Sequence, residues 1–288
     1  MDVMIRISIT IACFIIGAIL GSFACCQAWR LHLKEQGKKS PGKWSVCMSC
    51  GRRLKANENI PVISWLVQKG KCKSCGAKIG SAELLSEIGL GSSLAFIGWF
   101  LYPTFIDALV NLTVANCVIY PLSVIAFLTA LVLLWTLLVY DAKWQKLPVN
   151  LLTATNICAL LLVFLKIAWM LFNHTAGADL VQYLVDLVVA VTILAGIYLA
   201  LYLISRERLV GSGDWLIALP IALILGSPWL AIVTLFLSNF FASIYGLTKC
   251  AKDRKKPRRF QFAFGPFLVV AFIITFALSK ILSQVISV

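Results

Sequence analysis

Eight apolar runs, most of them near the length of a membrane span, constrain the fold of this chain more than any other feature. A helix of about 20 apolar residues crosses a hydrocarbon core about 30 Å thick, and it satisfies its own backbone hydrogen bonds in lipid. The sixth run is short, and Pro220 and Pro228 interrupt its pattern. The runs cover residues 7–28, 84–102, 119–140, 149–171, 180–204, 215–225, 229–247 and 262–286.

The composition agrees with a membrane protein. Hydrophobic residues make up 60% of the 288 residues and charged residues 13%, whereas a soluble domain averages roughly 45–50% and about 25%. This excludes an ordinary soluble enzyme, a disordered chain and a fibrous repeat. We predict an all-α integral membrane protein with about eight transmembrane helices, and an interfacial or external segment at 106–117. The predicted domains are a first transmembrane helix (1–29), a loop domain (30–82) and a polytopic membrane domain (83–288).

The positive charge predicts the orientation. The chain carries 26 Lys and Arg against 12 Asp and Glu, a net charge of +14. With eight spans, all these basic residues except Arg6, Lys166 and Lys280 fall on one face. The positive-inside rule makes that face cytoplasmic and places both termini outside. Since topology explains the charge, we expect a lipid bilayer and no nucleic acid as partner.

Two Cys-x-x-Cys pairs, separated by 21 residues, lie in the first basic loop. Two such pairs complete a tetrahedral set of four thiolates that suits Zn²⁺. A disulfide is the alternative, but a cytoplasmic loop is kept reduced. With no open ligand position, the metal is expected to be structural. A glycine follows the second Cys of each pair, where a turn with positive φ favours glycine. The predicted ligands are Cys47, Cys50, Cys72 and Cys75.

Ionisable residues at membrane depth are costly, so each is a candidate functional residue. Asp141 closes the third run and Asp214 opens the sixth, which places both carboxylates at a similar depth near the cytoplasmic boundary. Two carboxylates brought close can share one proton, so that one activates water while the other polarises a carbonyl. The alternative is structural: Asp214 caps its helix and Asp141 is a solvated helix end. Asp186, within the fifth run, is expected to hydrogen-bond to a neighbouring helix.

An ordered set of motifs across nearly the whole chain resembles the type IV prepilin peptidases, which are membrane aspartyl proteases. The first-helix signature, the two Cys pairs and the two Asp motifs occur in the family's order. The matching residues are Gly21-Ser22-Phe23 with Arg30, Asn59-Ile60-Pro61, Gly70-Lys71-Cys72, Glu87, Asp141 with Leu147-Pro148, Gly211-Ser212-Gly213-Asp214, and Phe264-Gly265-Pro266.

The resemblance implies that Asp141 and Asp214 are the catalytic pair. It further implies cleavage of the basic leader of prepilins or pseudopilins between Gly and typically Phe, at the cytoplasmic face of the bacterial inner membrane. N-methylation of the new N-terminus with S-adenosylmethionine is implied by the family alone. The resemblance assigns substrate or active-site support to Gly211, Gly213, Pro148, Glu87, Gly265 and Pro266.

Two other classes of function are compatible with parts of the sequence. The first is a non-catalytic membrane subunit of a pilus or secretion assembly, in which a zinc-stapled loop docks partners. The second is a transporter that uses Asp141 and Asp214 for ion coupling. A transporter typically carries internal repeats and charged groups near the bilayer midplane, whereas this pair is predicted near one face. The sequence does not predict the oligomeric state.

Overall fold

Helices account for nearly all of the described chain. The structure is a computed structural model and describes residues 2–39, 42, 44–110, 113, 115–173, 177–206, 211–253 and 262–286. Within these residues the α-helices are α1 (Asp2–Glu35), α2 (Ile63–Val67), α3 (Ser81–Val110), α4 (Tyr120–Trp144), α5 (Val149–Phe172), α6 (Gly177–Val191), α7 (Ile197–Ser205), α8 (Ser212–Leu225), α9 (Pro228–Asp253) and α10 (Gly265–Ile286).

Three shorter helical segments complete the architecture. A 3₁₀ turn covers Ala56–Glu58, and wider π-helical turns cover Ala115–Ile119 and Thr192–Gly196. The second π segment joins α6 to α7, so that one apolar helical stretch runs through Gly177–Ser205. In the described parts of the chain, β-pairing is limited to isolated bridges in the cysteine loop.

The all-helical membrane fold predicted from the sequence is confirmed. Six helical stretches of the described residues are long and apolar enough to cross a membrane. Two shorter apolar helices, Ser212–Leu225 and Gly265–Ser279, correspond to the sixth and eighth predicted spans. The six long stretches match the other predicted spans, but a count of eight crossings stays a prediction.

Segment 106–117 is largely helical where it is described. Helix α3 continues to Val110, beyond the predicted end of its span at Tyr102, and the π-helical turn Ala115–Ile119 leads into α4. The interfacial or external position of this segment stays a prediction. Most of the basic run before the last helix, residues 254–259, lies outside the described residues.

The chain divides into two compact units, Met1–Tyr102 and Pro103–Val288. The first unit contains α1, the cysteine loop and most of α3. The second contains α4 to α10. The three-part division predicted from the sequence stays a prediction.

Glycines hold α1 against α3 in the first unit. Gly17 and Gly21 are four residues apart, a spacing that lets membrane helices approach closely. A Cβ at Gly21 would collide with the Ser86 carbonyl, and one at Gly17 would lie 2.6 Å from the Leu90 carbonyl oxygen. The Ser86 hydroxyl donates a hydrogen bond of 2.9 Å to the Gly21 carbonyl. The two backbones are therefore in direct contact.

The second unit is a helical bundle in which α4, α8 and α10 form the part that matters for the site. Helix α4 packs against α5 and α10, and α8 packs against α5 and α10. Leu134, Leu137, Ile217, Ile221 and Leu268 are fully buried in this bundle.

We predict that Gly21→Ala destabilises the protein, because the added methyl group forces α1 away from the α3 backbone. The expected loss is about 1–3 kcal/mol of unfolding free energy, as for other overpacked sites. Thermal unfolding in detergent measures it. Gly177→Ala is the matched control, because a Cβ there meets no atom within 4 Å. Equal melting temperatures for the two variants would contradict the close packing.

Candidate active site and metal centre

Asp141 is a buried carboxylate near the C-terminal end of α4. Its side chain is 5% exposed, and its Oδ2 accepts a hydrogen bond of 2.9 Å from the backbone N–H of Gly265. The two residues are 124 positions apart in sequence. This contact joins the end of α4 to the start of α10.

Helix α10 begins against this carboxylate because its first residues leave room for it. A Cβ at Gly265 would lie 2.7 Å from Asp141 Oδ2 and 3.1 Å from Ile217 Cδ1. Pro266 follows in the first turn, where its missing N–H costs nothing. A larger residue than glycine at position 265 would displace either the carboxylate or α8.

Asp214 lies in the first turn of α8. Its Oδ2 accepts a hydrogen bond of 3.0 Å from the backbone N–H of Gly211. Gly211 is the N-cap, with extended backbone at φ −75° and ψ 157°. The structural alternative from the sequence, in which Asp214 is the N-cap, is therefore wrong, because the N-cap lies three residues earlier. Asp214 does help to close the helix start through its side chain.

The two carboxylates belong to helices that meet at Gly265. The Gly265 N–H bonds to Asp141 on α4, and a Cβ at Gly265 would lie 3.1 Å from Ile217, which follows Asp214 by three residues on α8. The starts of α8 and α10 both meet this region, and a helix N-terminus carries a partial positive charge that stabilises nearby anions. The bundle therefore places two acids, one of them deeply buried, beside donors that favour negative charge.

The segment between α4 and α5 supports the start of α8. A Cβ at Gly213 would collide with the Leu147 side chain, so that a glycine is needed for this contact. Pro148 is buried and occupies the N-cap of α5 with φ −65°. Pro148 therefore directly follows the residue that contacts α8.

Glu87 belongs to the first unit and has a well-defined partner there. It lies in the second turn of α3, is 8% exposed, and accepts a hydrogen bond of 2.7 Å from the backbone N–H of Val62. Val62 has a φ of 62°, a conformation that is uncommon for a β-branched residue. Glu87 thus ties the cysteine loop to α3, and its assignment to the active site stays a prediction.

The four predicted metal ligands converge. One sulfur atom from each of Cys47, Cys50, Cys72 and Cys75 lies within 4.8 Å of all the others. The Cys47 and Cys75 sulfurs are 3.9 Å apart. Zinc–sulfur bonds of about 2.3 Å in a tetrahedron require sulfur atoms about 3.8 Å apart. The cluster therefore has the dimensions of a four-thiolate metal site.

The two Cys pairs are built in the same way. The N–H of Gly51 donates to the Cys47 carbonyl and that of Gly76 to the Cys72 carbonyl, each at 2.9 Å. Both glycines have positive φ, 69° and 68°, as predicted. Backbone N–H groups of Cys75 and Ser74 lower the pKa of the Cys72 thiol to about 6. The turn therefore favours the metal-binding thiolate form at Cys72. The N–H of Ala77 lowers the pKa of the Cys75 thiol, but burial and the neighbouring thiols outweigh it and raise that pKa to about 11.

An ion pair supports the cysteine loop. The Arg52 guanidinium donates to both carboxylate oxygens of Glu58, at 3.0 and 2.9 Å, and Glu58 is 7% exposed. The hydrogen bond from the Lys55 backbone N–H and, second to it, the one from the Arg52 guanidinium hold the pKa of Glu58 below its usual range. The loop is thus fixed by polar contacts as well as by its cysteines.

Asp186 has a local partner. The Gln182 side-chain amide, one turn earlier on α6, donates to Asp186 Oδ1 at 2.9 Å. The expected hydrogen bond to a neighbouring helix is replaced by this contact within α6. Among the described residues, Asp186 makes its side-chain hydrogen bond within α6 and none with the Asp141–Asp214 region, so it serves as a control position.

Sequence reasoning missed a buried polar cluster beside Phe264. The Tyr198 ring is 2% exposed and packs at a tilt against the ring of Phe264, with 5.4 Å between the ring centroids. Its Oη receives a hydrogen bond of 2.9 Å from Asn239 and lies 3.2 Å from the Ser238 hydroxyl. Phe264 directly precedes Gly265, whose N–H bonds to Asp141, so the cluster lies close to the start of α10. Polar residues inside the fifth and seventh apolar runs were the available signal.

Comparisons with known proteins agree with this architecture. The model of the Bacterial Peptidase A24 N-terminal domain matches residues 15–101. A prepilin leader peptidase/N-methyltransferase of Dichelobacter nodosus is 33% identical over 235 residues, covering 81% of this chain and 70% of that protein. The protein with the same name in Dickeya chrysanthemi is 26% identical, covering 91% of this chain and 89% of its own. No solved structure matches the chain.

The fold and the sites define a multi-pass membrane protein with a four-cysteine loop and a carboxylate at each of two helix ends. Its extended similarity to the Dichelobacter nodosus protein identifies the family. This chain belongs to the type IV prepilin peptidases.

We predict that Gly265→Ala lowers stability, because the new methyl group breaks the hydrogen bond that Asp141 accepts. Leaving a buried charged acceptor without its donor costs about 1–3 kcal/mol or more. Thermal unfolding of the purified protein measures the loss. Gly246→Ala is the control, because a Cβ there makes an ordinary contact of 3.4 Å with Phe262. A Gly265→Ala protein as stable as wild type would contradict the described contact.

Proposed function

We propose that this protein is a membrane aspartyl endopeptidase that removes the basic leader of type IV prepilins or pseudopilins. Family membership supports a prepilin-processing peptidase, since the named relatives are prepilin leader peptidases/N-methyltransferases. The observation that supports the aspartyl mechanism is the meeting of α4, α8 and α10 at Gly265, which bonds to Asp141 and lies against Ile217, three residues after Asp214.

The chemistry needs only the two carboxylates and water. Like charges in a low-dielectric site do not both ionise easily, so the pair holds one proton between them. The ionised carboxylate takes a proton from water, and the protonated one donates a hydrogen bond to the scissile carbonyl. The N–H of Gly265 bonds to Asp141 and that of Gly211 to Asp214, which holds each carboxylate in a fixed orientation.

The distribution of charge supports cleavage at the cytoplasmic face. Asp141 is near the end of α4 and Asp214 near the start of α8, and the loops beside these ends are basic. By the positive-inside rule they are cytoplasmic, with both termini outside. The substrate's apolar helix then stays in the bilayer of the inner membrane while its leader reaches the site. Cleavage between Gly and Phe is proposed from the family resemblance.

We propose that the cysteine cluster holds one structural Zn²⁺. Its four sulfurs fit a tetrahedral site, and four thiolates leave no position for a reacting water. The ion would supply the cross-link that a small loop without a large apolar core needs to fold. Its ligands would be Cys47, Cys50, Cys72 and Cys75.

N-methylation of the new N-terminus is a second proposed activity, supported by the names of the relatives. S-adenosylmethionine is its methyl donor by resemblance only. We assign no residues of this chain to that donor and derive no step through it.

We predict that Asp141→Asn and Asp214→Asn each reduce leader cleavage about 100-fold or more, since each removes half of the acid–base pair. The assay follows conversion of a prepilin with a Gly–Phe junction by purified protein in detergent. Asp186→Asn is the matched control, because Asp186 bonds only within its own helix among the described contacts.

Near-wild-type cleavage by either active-site variant would show that the pair is not catalytic. An intact prepilin after incubation with wild type would favour the non-catalytic subunit. Proton- or sodium-driven uptake that depends on both aspartates, without cleavage, would favour the transporter.

We predict one zinc per chain in the purified protein, and its loss from a Cys47→Ser/Cys50→Ser double variant. Removing two ligands from a four-thiolate site eliminates the geometry that zinc requires. Elemental analysis measures the metal content. Cys117→Ser is the control, because Cys117 is an exposed cysteine outside the cluster. Retention of zinc by the double variant, or its absence from wild type, would overturn the metal assignment.

A further inference from the structure

Helix α8, which carries Asp214, contains a proline in its third turn. Pro220 is buried inside α8 and has no N–H to donate to the carbonyl four residues earlier. That carbonyl belongs to Leu216, two residues after Asp214. In an apolar environment a carbonyl without a donor costs several kcal/mol. The start of α8 therefore needs a donor from elsewhere.

The missing donor comes from the neighbouring helix α5. The side-chain amide Nδ2 of Asn156 lies 3.1 Å from the Leu216 carbonyl oxygen and 2.9 Å from the Leu152 carbonyl oxygen on its own helix. One amide group thus satisfies the carbonyl that Pro220 leaves free. The orientation is fixed by chemistry, since the amide oxygen would repel a carbonyl.

Placing Asn156 here leaves its own amide oxygen without a hydrogen bond from the described part of the chain, which indicates that the hydrogen bond to Leu216 outweighs that loss. Its Oδ1 is buried and has no hydrogen-bond partner among the described residues. An apolar residue would avoid that cost if the amide only filled space between helices. The stabilising contact of this side chain is therefore the hydrogen bond that Nδ2 donates to the Leu216 carbonyl.

The contact lies where it can fix Asp214. Leu216 is in the same helical segment, half a turn beyond the carboxylate. The Leu147 side chain touches Gly213 on the other side of Asp214 in sequence. Two contacts from the α4–α5 side therefore bracket the catalytic residue, one apolar and one polar.

We propose that Asn156 is a positioning residue for Asp214, acting through the Leu216 carbonyl that Pro220 leaves without a helical partner. This proposal rests on the proposed function of Asp214. Without the amide donor, the first turns of α8 shift to find another partner, and the carboxylate moves relative to Asp141. Misplacement by about 1 Å costs on the order of 100-fold in rate.

The test is a double-mutant cycle of Asn156→Ala and Pro220→Ala, read by leader cleavage. We expect Asn156→Ala to lower kcat roughly 10- to 100-fold with little change in KM, since the substrate still binds. Pro220→Ala restores an N–H within α8, so that Leu216 no longer depends on Asn156. The double variant should therefore recover most of the lost kcat, and Pro220→Ala alone should cleave near the wild-type rate.

Asn173→Ala is the matched control, because the Asn173 amide bonds only to the Trp169 carbonyl on its own helix among the described contacts. Wild-type cleavage by Asn156→Ala, a change in KM alone, or a double variant no faster than Asn156→Ala would each overturn the proposal. If Asn156→Ala does not fold, recovery of a folded, active double variant supports the proposal and its failure to recover overturns it.

Wild type and Asp214→Asn in the same assay separate this outcome from a failure of the proposed function. If Asp214→Asn loses cleavage while Asn156→Ala cleaves at the wild-type rate, the positioning role of Asn156 is wrong and the catalytic role of Asp214 is kept. Full activity of Asp214→Asn removes the catalytic role on which it rests.

Discussion

The hydrogen bond from the Gly265 N–H to Asp141 is the interaction on which the second unit depends. It pairs a buried carboxylate with a free donor at a helix start, and thereby satisfies two groups that lipid cannot. It also fixes where α10 begins relative to the end of α4. Because α10 packs on α8, the same contact limits how far Asp214 can move. The residue at 265 must be glycine, since a Cβ would lie 2.7 Å from the carboxylate.

The other close contacts solve the same two problems, close packing and polar satisfaction in an apolar setting. Gly21 lets α1 touch the α3 backbone, and the Ser86 hydroxyl bonds to its carbonyl. Asn156 supplies a donor where Pro220 removes one. In the cysteine loop, which has little apolar core, four thiols and the Arg52–Glu58 pair replace hydrophobic packing. The contacts in the helices thus suit an apolar environment, and those in the cysteine loop suit an aqueous one.

Much of this was predictable from the sequence. The spans follow from hydropathy, since α5 begins at Val149 as predicted and ends one residue later. The cysteine cluster follows from spacing, and its glycines from turn geometry. The positions of Asp141 near the end of α4 and of Asp214 at the start of α8 follow from the apolar runs that these residues close and open. The four-residue spacing of Gly17 and Gly21 is a further signal in the sequence, since it predicts close packing of membrane helices.

Other features required three-dimensional positions. That Gly265 donates to Asp141 depends on helices 124 residues apart in sequence. Asn156 and Pro220 belong to different helices, and no local pattern links an amide to a carbonyl that a distant proline frees. The burial of Tyr198 could not be predicted, because a tyrosine in an apolar run can face either lipid or the protein core. Local periodicity fixes which residues are helical, but not which helices meet.

The shared proton of the Asp141–Asp214 pair is the central claim, and infrared spectroscopy of the purified protein tests it most directly. At neutral pH we expect a carbonyl-stretch band from a protonated carboxylic acid that is lost in both Asp141→Asn and Asp214→Asn and kept in Asp186→Asn. A shared proton requires both partners, so either substitution removes the signal. Absence of the band from wild type, or its persistence in either active-site variant, would contradict the account.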